Sequence, residues 1–192
     1  MKKIRILLAD DHILVRIGLK TLINAQRDLD VVGEASDGAE AVALYDQLLP
    51  DIVVMDLMMS GTDGAEATRL IRESHSDAKV IILTSFSTSA DLARALSYGA
   101  VGAQLKGSST DNLLAAIRTV ASGGRYVEED IDRLIATDPP VAGLSPRQQD
   151  ILAGITRGLS NEDISKLLNI SVQRVKDHTN VIFQKIGAAN RA

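Results

Sequence analysis

The sequence contains no cysteine, so disulfide bonds and thiolate metal sites are excluded, which suits a reducing compartment. No apolar run is long enough to cross a membrane. Apolar runs such as Ile52 to Met55 and Val80 to Leu83 are strand-sized, against the ~20 residues a spanning helix needs. Low-complexity tracts are absent too. A basic start at Lys2, Lys3 and Arg5 is followed by Asp10 and Asp11, which interrupts any signal-peptide pattern. The expectation is a cytoplasmic protein without a membrane partner. What remains is an ordinary globular composition over 192 residues, 45% hydrophobic and 24% charged, enough for one medium domain and one small one.

The charge is unevenly spread. Residues 141–192 hold seven Lys and Arg against four Asp and Glu, a net +3, leaving fourteen against twenty-one, or −7, for the rest. An acidic body with a basic tail predicts that only the tail meets a polyanion.

Along the body, short β-rich runs alternate with amphipathic helical stretches. Strands are predicted at Ile4–Ala9, Asp30–Ala35, Ile52–Met55, Val80–Thr84 and Ala100–Leu105. Helices are predicted at Ile13–Ala25, Gly38–Leu48, Ala65–Glu73, Ala90–Tyr98 and Leu113–Ala121. Such alternation specifies a parallel sheet covered on both faces. Runs such as Ile-Arg-Ile-Leu-Leu and Val-Ile-Ile-Leu are largely apolar rather than alternating, as doubly covered strands are. The expected fold is therefore α/β, a five-stranded doubly wound sheet ending near Gly123-Gly124, with a second, small all-α domain. A short acidic helix, Glu128–Ala136, is followed by Pro139-Pro140, where paired prolines break helical continuation. The domains are read as 1–123, a linker with its helix at 124–143, and 144–192.

The tail carries three helix starts. Ser145-Pro146-Arg147-Gln148 is a capping box with proline at the first helical position. Ser160 offers a second cap, and Asn169 is suited to the left-handed turn that ends the helix it opens. Ser171 caps a third helix that runs towards Lys185 and stops before Gly187. Two short helices so tightly joined resemble a helix-turn-helix.

In a doubly wound sheet, ligands bind beyond the carboxyl ends of the strands. The residues there are Asp10, Asp11, Asp56, Thr84 and Lys106. Three carboxylates at one sheet edge make a hard oxygen site suited to Mg²⁺; without a cation their mutual repulsion raises a pKa. Any one of these acids alone reads as a solvated loop residue. Five such residues at four strand ends do not.

The segments Leu8-Ala9-Asp10-Asp11-His12, Val54-Met55-Asp56-Leu57-Met58-Met59, Leu83-Thr84-Ser85 and Gln104-Leu105-Lys106 resemble the receiver domain of two-component response regulators, with its flavodoxin-like sheet, over residues 3–123. The resemblance implies that Asp56 is the phosphoacceptor, supplied by a sensor histidine kinase. It implies that Asp11, Asp10, Asp56 and the Met58 backbone carbonyl hold Mg²⁺, and that Thr84 and Lys106 bind the phosphoryl oxygens. Small Ser85 leaves room for the incoming group. Such a protein is a regulator rather than an enzyme, with at most slow self-dephosphorylation. Two positions depart from the family pattern. Ser60 stands where proline is usual, which is expected to loosen the loop after Asp56. Ala103 stands where relatives carry an aromatic ring that swings inward with the threonine, which puts the usual readout in doubt.

The tail, from Leu144-Ser-Pro-Arg through Gly158-Leu-Ser-Asn-Glu-Asp-Ile to Val175-Lys176-Asp177-His178, is similar to the LuxR-type effector domain of the NarL/FixJ class. On its third helix Val172, Val175, Thr179, Ile182 and Ile186 follow core spacing. Gln173, Asp177, Asn180 and Gln184 take the opposite face, suited to base edges in the major groove of double-stranded DNA. Arg174, Lys176 and Lys166 are placed for phosphates, and His178 lies to one side. Asp177 stands where the family more often has an apolar residue. The resemblance implies a fourth effector helix where the sequence ends at Ala192, so either the sequence is shortened there or the protein lacks that helix, which in relatives helps pair two copies. A homodimer is expected when active.

The primary expectation is a phosphorylation-controlled transcription factor. A phosphorylation-independent DNA-binding protein, with the receiver as dimerisation module, is kept open by Ala103. A Mg²⁺-dependent phosphatase is disfavoured, because such enzymes usually need an acid two residues beyond the nucleophile, where this chain has Met58.

Overall fold

The computed structural model describes residues 2–85, 89–137, 144–168 and 170–186. The sheet runs β2 (Leu29–Ala35), β1 (Ile4–Ala9), β3 (Ile52–Asp56), β4 (Val80–Thr84), β5 (Gly102–Leu105), β6 (Tyr126–Val127), with every neighbouring pair parallel. Helices α1 (Ile13–Asn24), α2 (Gly38–Leu48), α3 (Gly64–Ser74), α4 (Ser89–Ser97) and α5 (Thr110–Ala121) cover it. Their placement divides the core into two apolar layers. Ile6, Leu8, Val54 and Ile81 pack with α5's Leu113 and Ile117 on one face; Leu7, Val53, Met55 and Ile82 pack with α3's Ile71 and α4's Leu92 on the other. The apolar runs of β3 and β4 are accordingly buried along their whole length.

The sheet has six strands where five were expected. The sixth is a two-residue strand at its edge, registered Gly102 to Tyr126 and Ala103 to Val127. It leads into α6 (Glu129–Thr137), whose Ile131 is fully buried in the same apolar cluster as Ala103.

The remaining helices are α7 (Pro146–Thr156), α8 (Asn161–Leu167) and α9 (Val172–Ile186). Ser145 and Ser160 each form the reciprocal capping box that satisfies a helix's first free N–H groups. The Ser171 hydroxyl accepts from the Arg174 N–H at 3.3 Å, the expected third cap. Asn169 and the segment after Ile186 lie outside the described residues. A seven-residue helix such as α8 does not persist alone in water; it is held by burial of Ile164 against Ile151, Val175 and Ile182. Each such side chain contributes ~1.5–3 kcal/mol relative to exposure. Lys185 Nζ, 3.0 Å from Gln148 Oε1, ties α9 to α7. The small bundle rests on the larger domain where α7 packs against α4.

Candidate functional site

The register of the sheet decides which side chains meet. Ala9 pairs with Met55, Asp56 with Leu83, and Thr84 with Leu105. Asp10, Asp56, Thr84 and Lys106 therefore leave the sheet at one edge. Lys106 Nζ lies 2.6 Å from Asp10 Oδ2 and 2.8 Å from Asp56 Oδ2. Burial pushes the Asp56 carboxyl above its usual range; Asp10 adds to this, while Lys106 and the Met58 N–H oppose it. Burial works against the Lys106 charge, yet Asp10 and Asp56 together hold the ammonium above its ordinary range.

Asp11 completes the cup. It sits 2.8 Å from His12 Nδ1 and accepts the Ser60 backbone N–H at 3.2 Å. Proline has no N–H and cannot make that bond. At this point the serine ties the loop to Asp11, where a loosened loop was expected. The His12 N–H donates to Asp10 Oδ1 at 2.8 Å, and Arg16 donates to the Asp10 carbonyl. Behind Asp56, Gly64 opens α3 so tightly that a Cβ there would lie 2.1 Å from the Asp56 carbonyl oxygen. Only glycine fits without moving the loop.

Asp10, Asp11 and Asp56 each offer a carboxylate oxygen, and His12 a ring nitrogen, all within 4.8 Å of one another. Among the described residues, Asp10 Oδ2 and Asp11 Oδ1 are buried and accept no aligned hydrogen bond; they face the Lys106 ammonium and the His12 ring. Hard oxygen donors with unspent lone pairs fit Mg²⁺. His12 is the member of the cluster that sequence reasoning passed over, although it directly follows the acid pair.

Ala103 is fully buried. The space beside it holds Ile131 of α6 and Val127 of β6, packed in the same cluster. The Glu128 N–H donates to the Ala103 carbonyl at 2.9 Å, and the Glu128 carboxylate accepts from the Leu105 N–H at 2.9 Å. The segment joining β6 to α6 is thus bonded to β5 right beside Lys106. Ala103→Tyr is expected to overpack this corner and cost about 1–3 kcal/mol, read as a lower urea midpoint. An unchanged midpoint would show that the corner has room to spare.

On the effector side, Val175, Thr179 and Ile182 are buried and Val172 is half-buried. Gln173, Arg174, Lys176, Asp177 and Asn180 are exposed along α9, His178 is half-buried, and Lys166 is exposed on α8. Gln173 Nε2 donates to Asp177 Oδ1 at 2.9 Å, so the unusual acid is engaged within its own helix. The side chains of Gln184 and Ile186 lie outside the described residues.

Comparison with known proteins agrees with this geometry. Residues 6–118 match the family of response regulator receiver domains, and residues 142–192 match the luxR family of bacterial regulatory proteins. The transcriptional regulatory protein LiaR of Bacillus subtilis is 38% identical, covering 98% of this chain and 93% of LiaR. The chain belongs to the LuxR-type response regulators. A two-component response regulator of the LuxR family from Aurantimonas sp. SI85-9A1 is 41% identical over 71% of this chain and 97% of its own, with a TM-score of 0.67. The response regulator ChrA of a heme-sensing two-component system is 35% identical over 100% of this chain and 94% of its own, with a TM-score of 0.64. This response regulator is accordingly a DNA-binding transcription regulator of a two-component system and not an enzyme. Among its described residues, no helix is long and apolar enough to cross a membrane.

Proposed function

We propose that Asp56 accepts a phosphoryl group from a sensor histidine kinase and that the resulting charge governs DNA binding by α9. The observation that carries this reading is the Lys106 ammonium lying between Asp10 and Asp56 at the strand ends. An Asp56 carboxylate oxygen attacks phosphorus in line while the donor's nitrogen leaves, so one P–O bond forms as one P–N bond breaks. Lys106 neutralises a phosphoryl oxygen. The Thr84 hydroxyl, one residue beyond the Asp56 partner on β4, hydrogen-bonds another. Asp10, Asp11, Asp56 and the Met58 carbonyl would hold Mg²⁺, which when bound offsets charge on the phosphoryl group. The working division is a receiver at 1–123, a linker with its helix at 124–143 and an effector domain at 144–192. The protein works in the cytoplasm.

Readout runs through the linker rather than through an aromatic switch on β5. The Glu128 bonds beside Lys106 and the packing of Ile131 against the Ala103 corner support that route. In this reading α9 enters the major groove of double-stranded DNA. Gln173, Asp177 and Asn180 read base edges, Lys166, Arg174 and Lys176 contact phosphates, and His178 touches the flank. Two copies then occupy paired half-sites.

DNA affinity of the full chain with and without beryllofluoride and Mg²⁺ tests this. Beryllofluoride is expected to tighten binding and to produce dimers by light scattering. Unchanged affinity would favour phosphorylation-independent DNA binding, and a persistent monomer would remove the dimer. Lys176→Ala is expected to weaken all DNA sequences alike and to lower the salt slope by about one. An unaltered slope would take Lys176 off the phosphate backbone.

A further inference from the structure

Glu128 stands where β6 ends and α6 begins, and its main chain cannot serve both. In the parallel ladder its N–H reaches the Ala103 carbonyl at 2.9 Å. The next rung would run from the Leu105 N–H to the Glu128 carbonyl. That carbonyl is instead taken up in opening α6, where it accepts the Ile131 and Asp132 N–H groups at 2.9 and 3.2 Å. The Leu105 N–H turns to the Glu128 side chain and donates to Oε2 at 2.9 Å. A carboxylate thus satisfies a main-chain donor that the sheet leaves over.

The other carboxylate oxygen, Oε1, accepts the Ser108 hydroxyl. Leu105 and Ser108 are the two ends of a four-residue turn, closed by the Ser108 N–H on the Leu105 carbonyl at 3.1 Å. Lys106 is the second residue of that turn. One carboxylate therefore grips both ends of the segment that delivers the ammonium to Asp10 and Asp56, 2.6 and 2.8 Å away. We infer that Glu128 is a positioning residue for phosphoryl transfer, fixing through this turn where the Lys106 ammonium stands in the pocket. The inference rests on the reading of Asp56 as phosphoacceptor and Lys106 as its phosphoryl-binding partner.

Glu128 acts on the backbone and not on the ammonium. Among the described residues, the ion pairs of Lys106 are with Asp10 and Asp56. The lysine stem is flexible, so the place of its tip depends on how its own main chain is held. The Lys106 N–H donates to the Thr84 carbonyl at 2.7 Å and fixes the entry to the turn; Glu128 ties entry to exit. Phosphoryl transfer is almost wholly positioning and charge neutralisation, and a misplacement of about 1 Å can cost about a hundredfold in rate. Because Glu128 directly precedes α6, whose Ile131 is buried in one cluster with Ala103, a shift at the start of α6 also reaches the lysine.

The test is the rate of labelling of the full-length chain by acetyl phosphate with Mg²⁺, followed by intact mass. Glu128→Ala removes both acceptors and should slow labelling about tenfold. Glu128→Gln should stay within about threefold of the parent, because its carbonyl can accept the Leu105 N–H while its amide donates to the Ser108 oxygen. Equal slowing by both variants would overturn the proposal, since the effect would then belong to the carboxylate's charge. Lys106→Ala should slow labelling about a hundredfold, and adding Glu128→Ala to it should change the rate less than about twofold. A further tenfold loss in that background would also overturn the proposal, because Glu128 would then act on something other than the lysine. Ser108→Ala removes one of the two bonds and should slow labelling by about threefold; it decides the matter if Glu128→Ala does not fold, and a parent-like rate in it would count against the grip on the turn. Parent-like labelling of Lys106→Ala would instead remove the pocket reading beneath the proposal.

Discussion

With acetyl phosphate and Mg²⁺, the parent chain is expected to take up one phosphoryl group and Asp56→Asn none, a loss of labelling greater than about a hundredfold. The amide oxygen of asparagine is a poor nucleophile, whereas the carboxylate supplies the attacking pair. Asp10 and Asp11, which accept the His12 and Ser60 N–H groups, are expected to stay unlabelled, because in this reading they serve as cation ligands. The fold should survive, since asparagine matches aspartate in shape and Lys106 keeps Asp10 as partner. Intact mass before and after incubation reads the result directly. Labelling of the variant to the parent's extent would remove Asp56 from the mechanism, and with it the reading of the whole pocket.

Much of this arrangement is legible in the sequence because it rests on periodicity and turn chemistry. Apolar runs separated by helical patterns place the strand ends, and the strand ends place Asp10, Asp56, Thr84 and Lys106. Ser145 and Ser160 announce their helices by the same logic. What stays hidden depends on pairing between distant positions. A strand of two residues, Tyr126–Val127, is too short to show any alternation. Ser60 reads as a missing proline, and only the fold reveals that its N–H meets Asp11. Ala103 likewise reads as a missing ring, yet its cluster includes Ile131 of α6.

Lys106→Ala should cost about 2–3 kcal/mol of stability at neutral pH in the absence of Mg²⁺. That is less than the ~3–5 kcal/mol expected when one partner of a fully buried pair is removed, because the Lys106 side chain is 13% exposed. The loss arises from the acids left behind. Asp10 and Asp56 are each 3% exposed at the side chain and would face each other without the ammonium that now lies 2.6 and 2.8 Å from them. Their repulsion adds to the burial that already raises the Asp56 carboxyl, so the variant should regain stability as pH drops and the pair takes up a proton. A divalent cation offers the same relief by another route. Mg²⁺ should therefore raise the urea midpoint of Lys106→Ala more than that of the parent, which carries its own cation in the cup. Equal Mg²⁺ shifts in both proteins would mean that the lysine and the metal do not answer to the same carboxylates. The acids at the strand ends would then not form one electrostatic unit.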